Sequence, residues 1–324
     1  MLAVLMVDFS CALKLAMPLA VLSAMREASA YHITVKGGKF LEAVAGADTI
    51  VFDKTGTLTH ACPVVARVIP FGGRSEAEML RVAACLEEHF PHPVARAVVR
   101  AAAEKNLRHR ERHADVEYLV AHGIASSLDG KRVVIGSEHF VVEDEGVSLT
   151  EEQKRRVADE TEGLSPLYLA VDGELIGVIG IEDPLKAGVR EAIADLRMLG
   201  FKRVVMLTGD GERTAARIAD AAGVTEYRAN LLPEDKYAFV ERLKAEGSKV
   251  VMVGDGVNDA PALSLADVGI AMGQGTAVAK EVADITLTGG HLSALVTLRT
   301  LSAGLTARLN ASFKEVVAIN SALL

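Results

Sequence analysis

Asp53 opens the run DKTGTLT (53–59), directly after the apolar stretch TIVF (49–52). A carboxylate at the tip of a buried strand, followed by glycine and hydroxyl residues, suits nucleophilic attack on phosphorus. The backbone N–H groups of such a loop can cradle phosphate oxygens. An isolated DxTG is commonly just a capping Asp and a turn, so the weight comes from the other loops. GDGVNDAP (254–261) offers Asp255, Asn258 and Asp259, hard oxygen ligands of the kind Mg²⁺ takes together with phosphate oxygens and water. TGD (208–210) brings the Thr208 hydroxyl, and Lys236 in PEDK brings a point charge for a transferring phosphoryl group. Alone, Lys236 reads as a surface helix lysine. Four such loops in one chain point to phosphoryl chemistry.

The elements that must position these residues form an alternating strand–helix pattern, which marks an α/β layered domain. Apolar runs at 49–52, 203–207 (RVVML), 249–253 (KVVMV) and 268–272 (VGIAM) are expected as buried parallel strands. The first three end in DKTGT, TGDGE and GDGVND, and ligands in open α/β sheets bind beyond the carboxyl ends of strands. That placement could bring Asp53 and Asp255 to one metal. Helices at 186–199, 212–222 and 234–246 fit the crossovers, the last opening on acidic residues as a helix start should.

Residues from about 61 to 182 interrupt the pattern. They hold expected helices at 75–88 and 93–105 and two hairpins, 126–137 turning at Asp129-Gly130 and 167–181 turning at Asp172-Gly173. This stretch reads as a domain inserted after the first strand of the sheet, with Glu182-Asp183-Pro184 as the return hinge.

Composition narrows the function classes. A net charge of −8 with aromatics at 4% and no Trp offers neither a basic footprint nor stacking platforms, so nucleic acid is not an expected partner. The Arg108–His113 cluster reads as a solvated helix end or loop. Cys11, Cys62 and Cys85 show neither a CxxC pattern nor a disulfide framework, which suits a reducing compartment. Half the residues are apolar and mean hydropathy is +0.26, high for a purely soluble enzyme. Residues 1–25 have about the length needed to cross a bilayer, and 316–324 (VVAINSALL) begin a second apolar run. The chain is therefore expected to be a fragment of a longer multi-pass membrane protein with cytoplasmic catalytic domains.

DKTGTLT, TGD and GDGVNDAP, in this order, resemble the P-type ATPases, and the resemblance covers essentially the whole chain. It implies a haloacid-dehalogenase-like doubly wound parallel sheet, the phosphorylation domain, at 29–60 and 183–290. An inserted α+β nucleotide-binding domain would occupy 61–182, a transmembrane segment 1–28, and a linker helix entering a truncated membrane helix 291–324. It also implies that Asp53 forms an aspartyl-phosphate from ATP. Asp53, the Thr55 carbonyl and Asp255 would hold Mg²⁺, with Asp259 supporting the metal shell. Thr208, Asp210, Lys236 and Asn258 would serve the phosphoryl group. Phosphatases of the same fold usually carry a second Asp two residues after the nucleophile, as a general acid. Thr55 stands there instead, and threonine cannot exchange a proton near neutral pH as a carboxyl group does, so a phosphoenzyme should persist. A soluble phosphatase is the alternative reading, and a nucleotide-sensing fragment without turnover a third.

Within the family, Glu87 and His92-Pro93 resemble the His-Pro motif of the heavy-metal pumps, where the His helps orient ATP. The following AHGIASSLDGKRVVIGS (121–137) matches that family's glycine-rich segment at Gly123, Ile124 and Gly136 but departs at Ala121 and Ser137, and Phe90-Pro91 replaces its Ser-Glu. The glycines could equally be turn residues. FSCALKLAMP (9–18) aligns with the family's Cys-Pro-Cys membrane segment, leaving Cys11 as a candidate ligand for the transported ion, with a buried free cysteine as the other reading. One sulfur is a weaker case for Cu(I) than two. Asp8 and Lys14, and Asn320-Ser321 near the other end, are polar groups within these apolar runs, either functional or paired between helices. The expected partners are ATP, the transported cation, the bilayer, and the actuator domain and further membrane helices of the same pump.

Overall fold

The computed structural model describes residues 2–88, 92–107, 117–119, 123–128, 130–273 and 275–323, the side chains of 2–15, 117–119, 257, 320 and 323 excepted. The chain divides into two compact units, one of Met1–Thr59, Leu185–Gly209 and Ala219–Leu324, the other of His60–Pro184 and Asp210–Ile218.

The first unit is built on a seven-stranded sheet in the order Ile33–Val35, Ile285–Leu287, Val268–Met272, Val250–Gly254, Thr49–Asp53, Arg203–Leu207, Glu226–Arg228. All neighbours are parallel except Ile33–Val35, which runs antiparallel at one edge. The central runs are buried along their length, as strands covered on both faces must be, which is why they read as unbroken apolar stretches. The helix Pro233–Ala245 contributes Phe239, Val240 and Leu243 to the same apolar cluster as Val51, Val205, Leu207 and Met252. From Thr49–Asp53 the sheet grows in both directions. Arg203–Leu207 and Glu226–Arg228 are added on one side, and the strands from Val250 onward on the other. The order therefore reverses at Thr49–Asp53, and such a reversal opens a crevice at the strands' carboxyl ends. Asp53 is the last residue of that strand.

Arg299, on the long helix Ser293–Leu323, secures the opposite ends of these strands. The residue is 7% exposed, and its guanidinium lies 4.6 Å from the centre of the Phe201 ring and donates Nε to the Leu199 carbonyl at 3.1 Å and Nη1 to the Val44 carbonyl. Leu199 closes the helix before Arg203–Leu207, and Val44 lies in the helix before Thr49–Asp53. One planar fork thus binds two carbonyls at helix ends, where the Val44 carbonyl also accepts from the Ala47 N–H at 3.3 Å.

Helix Leu2–Ala30, with Pro18 inside it, and helix Ser293–Leu323 cover the two apolar runs at the chain ends. Among the described residues no helix is long and apolar enough to cross a membrane. In the second helix Arg299, Arg308, Lys314 and Glu315 all precede the apolar run at 316–324. Residues 1–15 of the segment expected to cross a membrane at 1–28 have side chains outside the described set, as do Asn320, Leu323 and Leu324 of the run at 316–324. Cys11, Asp8, Lys14 and Asn320 have side chains outside the described set, as do residues Phe90, Pro91, Ala121, Asp129 and the Arg108–His113 cluster altogether.

The second unit is a six-stranded antiparallel sheet in the order Val64–Pro70, Glu174–Glu182, Ser165–Val171, Lys131–Gly136, Gly123–Leu128, Glu117–Leu119. Helices Glu76–Glu87 and Pro93–Glu104 bury Met79, Leu80, Leu86 and Val98 against Ile124, Val133, Ile135 and Leu169. Ser75 begins the first helix with a reciprocal cap: its Oγ accepts from the Glu78 N–H at 3.2 Å while Glu78 Oε2 accepts from the Ser75 N–H at 3.1 Å. Glu87, the last residue of that helix, is 6% exposed, and loss of hydration pushes its pKa up to about 7.

Two outcomes follow from this packing. Arg299→Ala removes a donor from the Leu199 and Val44 carbonyls, the second keeping the Ala47 N–H, and should cost about 2 kcal/mol, read as a lower urea midpoint by far-UV circular dichroism. Glu87 ionises from 4.5 upward in the unfolded chain but only near 7 when folded. The unfolded state therefore binds fewer protons across that window and stability falls as pH rises through it. Glu87→Gln should remove this loss, gaining on the order of 3 kcal/mol over wild type at pH 8 and almost nothing at pH 4. Equal gains at both pH values would refute the assignment.

Candidate active site

The crevice at the strand reversal collects the acidic loops of the first unit. Carboxylate oxygens of Asp53, Asp255 and Asp259 all lie within 4.8 Å of one another, and no second group of His, Cys, Asp or Glu with metal-ligand spacing occurs among the described residues. Lys236 reaches in from the first turns of the helix Pro233–Ala245, placing Nζ 2.5 Å from Asp53 Oδ1 and 2.9 Å from Asp259 Oδ1. Pro233 at the first helical position and Asp235 Oδ2, accepting from the Leu232 N–H at 2.9 Å, start that helix where Lys236 can point at the strand tips.

The loop after Asp53 folds as a wide turn, Lys54–Leu58, closed by Thr59. The Thr59 N–H donates to the Lys54 carbonyl at 3.1 Å, and the Thr59 hydroxyl accepts from the Gly56 N–H at 3.2 Å. Gly56 has φ +71°, and a Cβ built on it would fall 1.5 Å from Asp255 Oδ2. Both the backbone conformation and the approach of the second carboxylate therefore require glycine here. The Thr57 hydroxyl is fully buried in this loop and has no hydrogen-bond partner among the described residues. Buried hydroxyls are ordinarily satisfied, so the loop lacks a polar partner.

Electrostatics agree with a cluster built for a cation. Burial, then the Asp259 charge, pushes Asp53 up to about 7 against the pull of Lys236. Burial, then Asp259, pushes Asp255 up to about 6 against Lys186 and Lys236. Burial acts to lower Lys236, but the Asp53 and Asp259 charges hold it above its ordinary value. In this poorly solvated crevice the Asp53 and Asp255 carboxyls are both held toward their neutral forms by burial and by the Asp259 charge. The hard-oxygen donor set, the space held open by Gly56 and the crowding of negative charge fit Mg²⁺.

Other residues named from the sequence lie as follows. Thr55 is exposed at the loop's edge, and Asn258 is exposed on the short turn Val257–Asp259. Thr208 is buried at the end of the adjacent strand, its N–H donating to the Arg228 carbonyl at 3.0 Å. Asp210 belongs to the second unit, where its Oδ1 accepts from the Ser165 hydroxyl at 3.3 Å. The expected nucleotide residues also lie in that unit. Glu87 closes one helix and His92 caps the next, its Nδ1 accepting from the Val94 N–H at 3.4 Å. Loss of hydration, with the Arg96 charge, lowers the His92 pKa and favours the neutral ring. Gly123 and Gly136 face each other across a strand pair, and a Cβ on Gly123 would strike the Phe140 ring and the Ile135 carbonyl. Ile124 is a core residue packed with the two helices. Gly123 and Ile124 thus have packing reasons for their identity.

Lys186 was not singled out by its pattern. It is 8% exposed, and its Nζ donates to the Gly56 carbonyl at 2.5 Å. The only signal in the chain is a lysine two residues after Pro184, where the inserted unit returns.

Comparison with known proteins identifies the family. The family profile described as haloacid dehalogenase-like hydrolase matches residues 47–267. A silver exporting P-type ATPase of Salmonella typhimurium is 41% identical over 309 residues, covering 93% of this chain and 36% of that protein. A zinc-transporting PIB-type ATPase crystallised in its E2.Pi state superposes with a TM-score of 0.73 at 36% identity, over 97% of this chain and 50% of that one. The catalytic CPx-ATPase domain CopB-B superposes with a TM-score of 0.67 at 30% identity, over 85% of this chain and 98% of that domain. The chain thus spans half or less of the two full-length transporters but nearly all of an isolated catalytic domain. It belongs to the haloacid dehalogenase-like hydrolases and, among them, to the heavy-metal P-type ATPases.

Proposed function

We propose that this chain is the ATP-binding and phosphorylation core of a pump that drives a heavy-metal cation across a membrane through an aspartyl-phosphate. The observation that carries the reading is the convergence of Asp53, Asp255 and Asp259 within 4.8 Å, with Lys236 Nζ 2.5 Å from the Asp53 carboxylate. An Asp53 oxygen attacks the γ-phosphorus of ATP, the bond to the β-phosphate oxygen breaks, and ADP leaves. Mg²⁺, held by Asp53, the Thr55 carbonyl and Asp255 with Asp259 behind them, would neutralise the phosphate charge as the two anions meet. Lys236 shields the attacking carboxylate from the incoming phosphate and stabilises the charge on the transferring group. Thr208 and Asn258 hold phosphoryl oxygens. Glu87, His92, Gly123, Ile124 and Gly136 serve the nucleotide in the inserted unit, and Asp210 supports the Thr208 loop. The neutral His92 ring retains a nitrogen for hydrogen bonding to a base.

Thr55, where related phosphatases carry an acid, supports a stored phosphoenzyme over rapid ester hydrolysis. The rest of the pump, a membrane domain and an actuator domain, would convert that stored energy into transport. Silver and zinc transporters are similar to the chain at comparable identity, so the ion is one of the heavy-metal class.

Acid-quenched labelling with γ-labelled ATP and Mg²⁺ should give a hydroxylamine-sensitive band in wild type and none in Asp53→Asn. Label that persists in Asp53→Asn would end the proposal. Lys236→Met should slow label formation by roughly 100-fold. Thr55→Asp should restore a general acid and speed decay of the phosphoenzyme by about 100-fold, followed as loss of label after a chase with unlabelled ATP. ATP-dependent uptake of Zn²⁺, Cu⁺ or Ag⁺ into membrane vesicles carrying the full-length pump tests the transport step. A pump that labels on Asp53 yet accumulates none of these would remove heavy-metal transport.

A further inference from the structure

Besides Lys236, the buried Lys186 acts on this site, through contacts with the loop that follows Asp53. Lys186 Nζ donates to the Gly56 carbonyl at 2.5 Å, and the Lys186 N–H donates to the Leu58 carbonyl at 2.8 Å. Leu185 bridges Thr59 in antiparallel fashion, so Leu185–Lys186 runs beside the end of the DKTGTLT loop as a short added strand. The Lys186 charge also acts on Asp255, together with Lys236 and against Asp259. The side chain is thus engaged with the loop that follows the nucleophile while lying within the field of the carboxylate on the neighbouring strand.

We propose that Lys186 is a positioning residue of the phosphorylation site, fixing the Gly56–Thr57 peptide so that the DKTGTLT loop keeps its spacing from Asp255. The trans peptide carries its C=O and N–H on opposite sides, so an ammonium that holds the Gly56 carbonyl also sets the direction of the Thr57 N–H. Asp255 Oδ2 fills the place where a Gly56 Cβ would stand, so rotation of this peptide moves the loop either into the carboxylate or away from it. No side chain at 56 resists that rotation, and Gly56 has the widest backbone freedom of any residue type. The restraint must therefore come from outside the loop, and Lys186 supplies it. Burying an ammonium is costly unless it is paired, which the Gly56 carbonyl and the nearby Asp255 charge both provide. The role rests on the reading of Asp53 as the phosphorylated residue, since spacing between its loop and Asp255 matters only if both serve one phosphate and one cation.

The test compares wild type with Lys186→Met, which keeps the buried apolar stem, and Lys186→Arg, which keeps the donor. Two measurements are made on the 324-residue chain. In the first, the rate of labelling from γ-labelled ATP is followed against Mg²⁺ concentration. Lys186→Met should slow labelling about 10- to 100-fold and raise the Mg²⁺ needed for half-maximal rate, and Lys186→Arg should recover most of both. In the second, amide hydrogen exchange of residues 54–59 should quicken at least tenfold in Lys186→Met and return in Lys186→Arg. Amides of Ile285–Leu287, three strands along the sheet from Thr49–Asp53, should stay unchanged, which separates loop release from general unfolding. Unchanged exchange at 54–59 in Lys186→Met overturns the positioning role, whether or not labelling slows. Unchanged labelling and Mg²⁺ dependence in a wild type that labels on Asp53 overturns it as well. A wild type that fails to label strikes the phosphorylation reading instead, and exchange alone then decides whether Lys186 holds the loop.

Discussion

Mutual repulsion among Asp53, Asp255 and Asp259 is the constraint around which the first unit is organised. Bringing three carboxylates within 4.8 Å in a crevice with little water is unfavourable, and the fold must hold them there by other means. Lys236 answers part of the charge, with Nζ 2.5 Å from Asp53 and 2.9 Å from Asp259. The parallel strands answer the geometry. Asp53 and Gly254 end adjacent strands, and the rigid register of Val250–Val253 against Thr49–Phe52 leaves neither side free to withdraw. The residual unfavourable energy is what a divalent cation would relieve on binding, so the strain favours ligand rather than merely costing stability.

The same logic explains the loop chemistry around the cluster. A nucleophilic carboxylate must be reachable by phosphate on one side while a second carboxylate approaches on the other. Only a residue without a Cβ at position 56 allows this, and the left-handed φ there turns the backbone out of the strand direction at once. Thr59 then closes the turn through both its N–H and its hydroxyl, so the loop is restrained at its far end by Thr59 and at its centre by Lys186. At the other end of the strands Arg299 ties the Val44 and Leu199 carbonyls, which precede the strands ending at Asp53 and Leu207. The helix carrying Arg299 is therefore mechanically joined to the two strands that deliver the nucleophile and Thr208.

The second unit uses different physics. Its antiparallel sheet has two apolar clusters, one under the helix pair and one containing Phe71, Phe140 and Tyr168. Glu87 and His92 sit at the facing ends of consecutive helices, one carboxyl pushed up to about 7 and one imidazole held below its usual value, both chiefly by loss of hydration. Two groups favouring their neutral forms suit recognition of an uncharged base better than of phosphate.

The amino-acid sequence alone determined the class of the fold. Runs such as RVVML and VGIAM can be stable only as strands buried on both faces, and each is followed by a polar loop and a helical period, so a parallel α/β sheet follows from local chemistry. It also carried the identity of the acidic loops, because DKTGTLT and GDGVNDAP concentrate carboxylates and glycines at strand ends. What it left undecided was distance. Convergence of Asp53 and Asp255, 202 residues apart, depends on strand order, which local pattern does not encode. The pairing of Lys236 with two carboxylates and the reach of Lys186 to the Gly56 carbonyl depend on it too. Nor could spacing reveal that Asp210, two residues from Thr208, pairs with Ser165 within the second unit, or that Ile124 is committed to the core. Such facts arise from long-range packing, where one lysine in PLKAG and another in PEDK look equally solvent-bound until the sheet is assembled.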